Sequence, residues 1–143
     1  MSASRRKIFL DILAGESRCV KVYEDQYCLA ILNIYPHKPG HVLVLPKRTD
    51  ATNVLEMSPV LLGRLMQVVQ HITPHLIRAM GADAAKIDMS TGPAAGLLID
   101  YPHVHIICYK QGQYTPRPSS DPGWRVLEED GEKIRAAISG ALS

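Results

Sequence analysis

One long helical pattern stands between two groups of short strand patterns, and this order constrains the fold more than any other feature of the chain. Ser58 and Pro59 form a helix cap and a first-turn proline. Apolar residues then recur at helical spacing over residues 61–77, which predicts the main helix. Pro74 lies inside this pattern and lacks an N–H group, so we expect a kink or a division near residue 73.

Five strand patterns flank this helix. They cover residues 19–24, 27–32, 41–46, 84–90 and 103–109. Strands that follow one another without an intervening helix favour an antiparallel sheet, because parallel units need alternating helices. The sequence therefore predicts an α+β fold in which one long helix accompanies an antiparallel sheet.

Shorter helical patterns occur near both ends of the chain, over residues 4–14 and about 132–138. A loop rich in Pro, Ser and Gly, over residues 111–123, precedes the second of them. A chain of 143 residues buries about two thirds of its surface on folding, which is enough for one core. Because no repeat or linker divides the pattern, we expect a single domain over residues 1–143.

Charge and cysteine content exclude several classes of protein. Lys and Arg number 16 against 14 Asp and Glu, and the resulting net charge of +2 disfavours dedicated nucleic-acid binding. Three isolated cysteines, Cys19, Cys28 and Cys108, predict neither a disulfide framework nor a cysteine zinc site. No apolar run approaches the roughly 18 residues of a membrane span. We therefore expect a cytoplasmic protein with no membrane partner.

A strand pattern with two histidines holds most of the functional information. Alternation along a strand places Tyr101, His103 and His105 on one face. The two imidazoles fit three interpretations: ordinary structural histidines, a metal site or a nucleophile. Residues 106–110 contain no carboxylate to complete a metal site. The small residues of the loop 91–96, whose N–H groups could face an anion, favour a nucleophile beside a phosphate.

These residues, together with three further blocks, resemble the histidine triad (HIT) superfamily of nucleotide hydrolases and transferases. The family signature alternates histidines with apolar residues behind a Gly-Gln pair. Residues 8–16 resemble the family's opening helix, residues 22–25 its first strand and turn, and Asn33 with residues 39–47 its second block. The resemblance spans most of the chain. It implies a HIT-like antiparallel β-sheet with one long helix and short terminal helices.

The family signature can be placed on this chain in two ways. If Gly96 takes the place of the family glycine, then Tyr101, His103 and His105 are the first, middle and third members of the triad. A placement shifted by two residues makes His105 the middle member instead. We prefer the first placement because it also matches the family's loop pattern at Ser90.

The resemblance implies that the middle histidine attacks the α-phosphorus of a nucleoside phosphoramidate, a dinucleoside polyphosphate or a related purine nucleotide. A nucleotidyl-histidine then forms. In the preferred placement His103 is this nucleophile, His105 donates to the phosphate, and Tyr101 completes the catalytic set. The residues implied in nucleotide binding are Asn33 at the ribose, Ser90, Gly96 and Leu97 at the phosphate, and Ile8 and Phe9 at the base. The resemblance requires no cofactor or metal, and it implies a homodimer.

Departures from the family pattern leave an alternative function open. Tyr101 stands in place of the first histidine, Leu97 in place of the Gln, and Leu98 in place of a common hydroxyl residue. The two leucines remove possible hydrogen bonds to phosphate, and one such donor is typically worth about 3 kcal/mol in the transition state. The alternative is a catalytically weak or inactive nucleotide-binding module.

The remaining histidines and the basic N-terminal residues are expected to be structural. His37 and His41 belong to a loop and a strand edge, and His71 and His75 share an exposed helix face. Residues 5–7 are a basic helix end expected to be solvated.

Overall fold

The computed structural model describes residues 5–142, which form five strands and three α-helices. In chain order these are α1 (Arg6–Leu13), β1 (Lys21–Glu24), β2 (Cys28–Leu32), β3 (Val42–Pro46), α2 (Pro59–Ala79), β4 (Ala84–Asp88), β5 (Val104–Tyr109) and α3 (Trp124–Leu142). Short 3-10 turns occur at Val54–Glu56 and Pro93–Ala95. The predicted start of the first helix at residue 4 lies outside the described residues.

The five strands form one antiparallel sheet in the order β1-β2-β3-β5-β4. His105 of β5 lies opposite Leu43 of β3 on one side and opposite Asp88 of β4 on the other. Residues directly opposite in an antiparallel pair share a face of the sheet. The α+β fold with an antiparallel sheet, predicted from the order of the elements, is confirmed.

The long helix α2 packs on one face of this sheet and forms the larger core. Ser58 Oγ accepts a hydrogen bond from the Leu61 N–H at 3.2 Å, and α2 begins at Pro59. The helix continues through Pro74, so the division expected near residue 73 does not occur. An internal proline costs about 3 kcal/mol, whereas burying one large apolar side chain yields about 1.5–3 kcal/mol. Four apolar residues of α2 are buried against the sheet: Leu65, Val68, Val69 and Ile72.

The short helix α1 lies over the opposite face of the sheet. It ends where Gly15 adopts a positive φ of 78° and donates its N–H to the Ile12 carbonyl at 3.1 Å. Phe9 is the buried residue of this helix. It packs in a second apolar cluster with Leu29, Ile31, Leu43, Leu45 and Tyr101.

Arg6 fixes the position of α1. Its guanidinium donates hydrogen bonds to three backbone carbonyl oxygens, those of Thr49, Ala51 and Asp100. It also lies 4.7 Å from the centroid of the Tyr101 ring. The expectation of a solvated basic helix end is therefore wrong for Arg6, because carbonyl groups from two distant loops converge on its planar fork of donors.

The C-terminal helix is longer than the sequence predicts. α3 spans Trp124–Leu142, whereas the apolar pattern indicated about 132–138. Gly131 and Gly140 weaken the pattern, yet both lie within the helix at a cost of about 1 kcal/mol each. Among residues 5–142, no helix combines the length and apolar character needed to cross a membrane.

We expect Leu65→Ala to lower the free energy of unfolding by about 2–5 kcal/mol, because a fully buried side chain is replaced by a cavity. Val60→Ala is the matched control, since Val60 lies on the same helix but is 70% exposed. It should change the free energy by less than about 0.5 kcal/mol. Urea denaturation followed by circular dichroism measures both values, and equal losses would contradict the packing of α2.

Candidate active site

A cleft of about 500 Å³ opens on the face of the sheet that α1 partly covers. The loop between β2 and β3 and the loop before β5 form its walls. Its lining residues are Phe9, Asn33, Tyr35, His37, Leu43, Asp88, Ser90, Ala95, Gly96, Leu98, Ile99, His103, His105 and Ile107. The cleft therefore contains both histidines of the strand pattern and most of the residues predicted to bind a nucleotide.

The backbone sets the protonation of His103. Its Nδ1 lies 2.7 Å from the Tyr101 carbonyl oxygen, which can only accept a hydrogen bond. Nδ1 of the neutral ring must therefore hold the proton, and the lone pair lies on Nε2. The ring of Phe9 packs edge-on against this imidazole, with centroids 5.1 Å apart. His103 is thus a buried neutral imidazole whose Nε2 is available as a nucleophile.

A chain of hydrogen bonds gives His105 the opposite tautomer. The backbone N–H of His37 donates to His41 Nδ1 at 3.1 Å. The His41 proton therefore lies on Nε2, which donates to His105 Nδ1 at 2.9 Å. The His105 proton in turn lies on Nε2. The neighbouring rings of His103 and His105, with centroids 4.9 Å apart, thus offer one lone pair and one donor.

Burial favours the neutral form of all three imidazoles. It lowers the pKa of His41 to about 4, with a smaller contribution from His37. Burial, followed by the neighbouring His103 and His41, also lowers the pKa of His105 to about 4, although the charge of Asp88 opposes this shift. Burial lowers the pKa of His103 as well, against the opposing hydrogen bond to the Tyr101 carbonyl. The lone pair of the candidate nucleophile is therefore unprotonated at neutral pH.

The loop before β5 is held mainly by its own hydrogen bonds. Ser90 Oγ donates to the Ala95 carbonyl at 2.8 Å. The N–H groups of Ala95 and Leu97 donate to the Gly92 carbonyl, and that of Gly96 donates to the Pro93 carbonyl. Two N–H groups of the loop 91–96 that sequence reasoning offered to an anion, those of Ala95 and Gly96, are thus used within the loop, because a tight turn satisfies its own backbone first. His105 Nε2–H, by contrast, is a donor on a side chain that lines the cleft.

Some of the residues predicted to bind the nucleotide line the cleft, and others lie outside its lining. Asn33 and Phe9 line the cleft, and Asn33 Oδ1 accepts the Tyr35 N–H at 2.9 Å, which fixes the amide at the rim. Ile8 is 48% exposed and lies outside the described cleft lining. Leu97 also lies outside that lining, whereas the neighbouring Leu98 lines the cleft and is 73% exposed.

Tyr101 lies beneath the cleft. Its side chain is completely buried, and its hydroxyl donates a hydrogen bond to the Pro46 carbonyl. Burial raises the pKa of Tyr101 to about 12, against the opposing charge of Arg6. The structure thus places Tyr101 as a support for His103, through its backbone carbonyl, and its phenol faces the core.

Two residues of the site were missed by sequence reasoning. His41, expected as strand-edge structure, is buried and bonded to His105. Asp88, at the end of β4, lines the cleft beside His105. Neither has a local sequence signal, since each acquires its role only when the neighbouring strand, β3 for His41 and β4 for Asp88, pairs with β5. Within residues 5–142 no group of three or more His, Cys, Asp or Glu is arranged to hold a metal ion.

Comparison with known proteins establishes the family. The HIT domain family matches residues 14–112. Adenylylsulfatase HINT3 of Arabidopsis thaliana is 36% identical over 104 residues, which cover 73% of this chain and 52% of that protein. The chain thus spans about half the length of this relative. Adenosine 5'-monophosphoramidase hnt1 of Schizosaccharomyces pombe is 30% identical over 133 residues, 90% of each chain.

A solved structure agrees with this result. A hypothetical histidine triad nucleotide-binding protein from Sulfolobus tokodaii superimposes with a TM-score of 0.71 at 31% identity, covering 93% of this chain and 92% of that one. The chain belongs to the HIT family.

We expect the protein to lose stability as the pH falls from 6.5 toward 4. In this range the unfolded chain protonates His41 and His105, while the folded chain keeps them neutral, so protons favour unfolding. Above pH 6.5 both histidines are neutral in the folded and in the unfolded chain, and this loss of stability is absent. Urea denaturation at pH 7 and pH 4.5 measures the loss, which should be smaller for His105→Gln. His75→Gln changes an exposed histidine and serves as the control; between pH 7 and pH 4.5 its free energy of unfolding should fall by as much as that of wild type. A loss in His105→Gln equal to that of wild type would contradict this assignment.

Proposed function

We propose that this protein is a nucleotidyl hydrolase or transferase that acts on the α-phosphate of nucleotides through His103. The single observation behind the proposal is the pair of opposite tautomers at His103 and His105, one offering a lone pair and the other an N–H donor in the same cleft. A nucleophile beside a preorganised donor is the arrangement that covalent phosphoryl chemistry requires.

The first step forms a bond between His103 Nε2 and the α-phosphorus. The bond from phosphorus to the leaving group breaks, and the leaving group departs with the electron pair and takes a proton from solvent where its basicity demands one. Positive charge develops on the imidazole, and Nδ1–H, held 2.7 Å from the Tyr101 carbonyl, donates more strongly as it does. The His105 Nε2–H stabilises the charge on the phosphoryl oxygens.

The second step releases the nucleotide. Water attacks the phosphorus, the bond to His103 Nε2 breaks with its electron pair returning to the ring, and a proton from water passes to solvent. The product is a nucleoside monophosphate. A hydroxyl acceptor in place of water would make the same protein a transferase.

The names of the relatives support this reaction class. One is named as an adenylylsulfatase and the other as an adenosine 5'-monophosphoramidase, and both names imply cleavage of a bond beside the phosphorus of an adenosine monophosphate. Asn33 and Phe9 line the cleft, and we assign Asn33 to the ribose and Phe9 to the base. We therefore propose a purine nucleotide or nucleotide conjugate as the substrate.

The competing proposal is a nucleotide-binding module with weak or no catalysis, and Leu98 is the observation that favours it. This exposed apolar side chain lines the cleft where a hydroxyl would offer a hydrogen bond. The departure at Tyr101 has less weight, because that side chain is buried beneath the cleft and leaves His103 in place.

The homodimer and the cytoplasmic location remain predictions. All three cysteines are free thiols, and burial raises the pKa of Cys28 to about 11. Light scattering after size-exclusion chromatography would measure the mass in solution, for which we expect twice the chain mass.

We expect His103→Ala to reduce the turnover of adenosine phosphoramidate by about 10³-fold or more, since removal of a nucleophile has effects of this order. A reaction with labelled substrate, quenched with base and mapped by peptide, should place the label on His103. His71→Ala is the matched control, because His71 is exposed on α2. Label on His105 in the His103→Ala variant, at an undiminished rate, would establish the shifted placement.

We expect Leu98→Ser to raise turnover about tenfold, or about 1.4 kcal/mol, because it adds a donor to the cleft that strengthens its hydrogen bond as charge develops. Leu55→Ser, an equally exposed leucine outside the cleft, should have no effect. Steady-state kinetics measure kcat and KM separately. Tight nucleotide binding without turnover, in both wild type and Leu98→Ser, would favour the binding module over the enzyme.

A further inference from the structure

One carboxylate lines the candidate active site, and no lysine or arginine accompanies it there. Among the described residues that line the cleft, Asp88 is the only member of the set Asp, Glu, Lys and Arg. Burial favours the neutral forms of His103 and His105 by lowering the pKa of each ring. A cleft proposed to hold a phosphate thus contains a second negative charge. This charge has no part in the mechanism described above.

The Asp88 carboxylate is open to a ligand. Within residues 5–142 it accepts no hydrogen bond, and its one ion-pair partner is Lys86, whose Nζ lies 4.0 Å from Oδ2. The two side chains are 39% and 47% exposed, for Lys86 and Asp88 respectively. An exposed ion pair at this distance is weak, because water competes for both charges. A ligand can therefore take the place of Lys86 on the carboxylate.

The register of the sheet places Asp88 one strand away from His105. His105 lies opposite Leu43 of β3 on one side and opposite Asp88 of β4 on the other, and all three residues line the cleft. Neighbouring strands are about 4.8 Å apart. The charge of Asp88 is close enough to oppose the lowering of the His105 pKa. A phosphate that accepts the His105 Nε2–H is therefore close to the Asp88 carboxylate as well.

The residues assigned to the nucleoside and the Asp88 carboxylate lie on opposite sides of β5. Phe9, assigned to the base, packs in one apolar cluster with Leu43 of β3. Asn33, assigned to the ribose, is the residue after β2. In the sheet β2 and β3 lie on one side of β5, whereas β4, with Asp88, lies on the other. Once the nucleoside occupies the β3 side, the leaving group has the β4 side available to it.

We propose that Asp88 is a specificity-determining residue that selects leaving groups carrying an ammonium group. This inference rests on the proposed function at His103. Two anions close together repel each other, and a cation between the phosphate and the carboxylate relieves that repulsion. The hydrogen bond from an ammonium to a carboxylate is charge-assisted, so it also fixes the direction of the leaving group. A polyphosphate leaving group is disfavoured, because no lysine or arginine in the described lining would bind it.

The test compares two substrates that differ in one charge. Both are adenosine 5'-phosphoramidates, with either a 3-aminopropyl or a butyl group on the amide nitrogen, and the two groups have the same length. Hydrolysis consumes one water and gives AMP with either propane-1,3-diamine or butylamine. We expect the full-length wild-type protein to have a kcat/KM about tenfold higher for the aminopropyl substrate, since hydrogen bonds between charged groups have effects of this order.

Asp88→Asn removes the charge and keeps the size of the side chain. It should lower kcat/KM for the aminopropyl substrate about tenfold. It should not lower kcat/KM for the butyl substrate, because the repulsion of the phosphate is lost together with the carboxylate. Asp130→Asn is the matched control: it removes the same charge from an exposed residue of α3 and should keep the wild-type preference.

Two further measurements accompany the variants. Thermal unfolding shows whether each variant is folded. Raising the KCl concentration should reduce the preference of the wild-type protein for the aminopropyl substrate, because salt screens a partly exposed charge. This second measurement tests the role of the charge even if Asp88→Asn does not fold, and a preference that KCl leaves unchanged would then overturn it.

The outcomes separate this inference from the proposed function. Equal wild-type values of kcat/KM for the two substrates, or a preference that persists in folded Asp88→Asn, would overturn the role of Asp88. If wild type turns over neither substrate, the proposed function fails, and calorimetric titration with the two phosphoramidates then decides on Asp88. Tighter binding of the aminopropyl compound, lost in Asp88→Asn, supports its role. Equal affinities, or no binding of either compound, overturn it.

Discussion

The hydrogen bond between His41 Nε2 and His105 Nδ1 is the interaction on which the site depends. It joins the residue before β3 to the second residue of β5. Because the His37 N–H occupies His41 Nδ1, the proton of the His41 ring lies on Nε2 and is donated to His105. Buried imidazoles need such partners, because an unsatisfied polar group inside a protein costs about 1–3 kcal/mol. The same bond determines the tautomer of His105, while the His37 N–H and the Asn33 N–H, which donate to the ring and the carbonyl of His41, hold the loop that contains Asn33. The shape of the cleft and the tautomers of its two histidines therefore both depend on His41.

The two faces of the sheet differ in what covers them: one face contacts the larger apolar core, and the other contains the candidate active site. On one face α2 buries a continuous apolar stripe and forms the larger core. On the other, α1 is too short to cover the sheet, and the uncovered area is the cleft. Arg6 sets where that boundary falls, because its hydrogen bonds to carbonyls of two loops hold α1, and with it Phe9, against the site.

Burial keeps the imidazoles in this cleft in their neutral form. Desolvation disfavours the charged form of an imidazole, so His103 keeps its lone pair at neutral pH without a carboxylate partner. The same desolvation makes the folded state sensitive to acid, since protons bind more readily to the unfolded chain. The burial that keeps the proposed nucleophile neutral at pH 7 therefore also lowers the stability of the fold at low pH. Tyr101, which lies beneath the cleft, orients the His103 ring through its backbone carbonyl.

The order of elements, the strand pattern with His103 and His105, and the N-terminal cap of α2 are readable in the sequence, because each depends on residues close together in the chain. Those local signals were enough to predict the antiparallel α+β fold and the cleft histidines. The continuity of α2 through Pro74 and the roles of His41, Asp88 and Arg6 were decided by tertiary structure. In each case the partner lies far away in the sequence, and contact with it, through buried apolar surface or a hydrogen bond, outweighs the local preference. The sequence alone thus determined which groups are present, and strand pairing decided which of them meet.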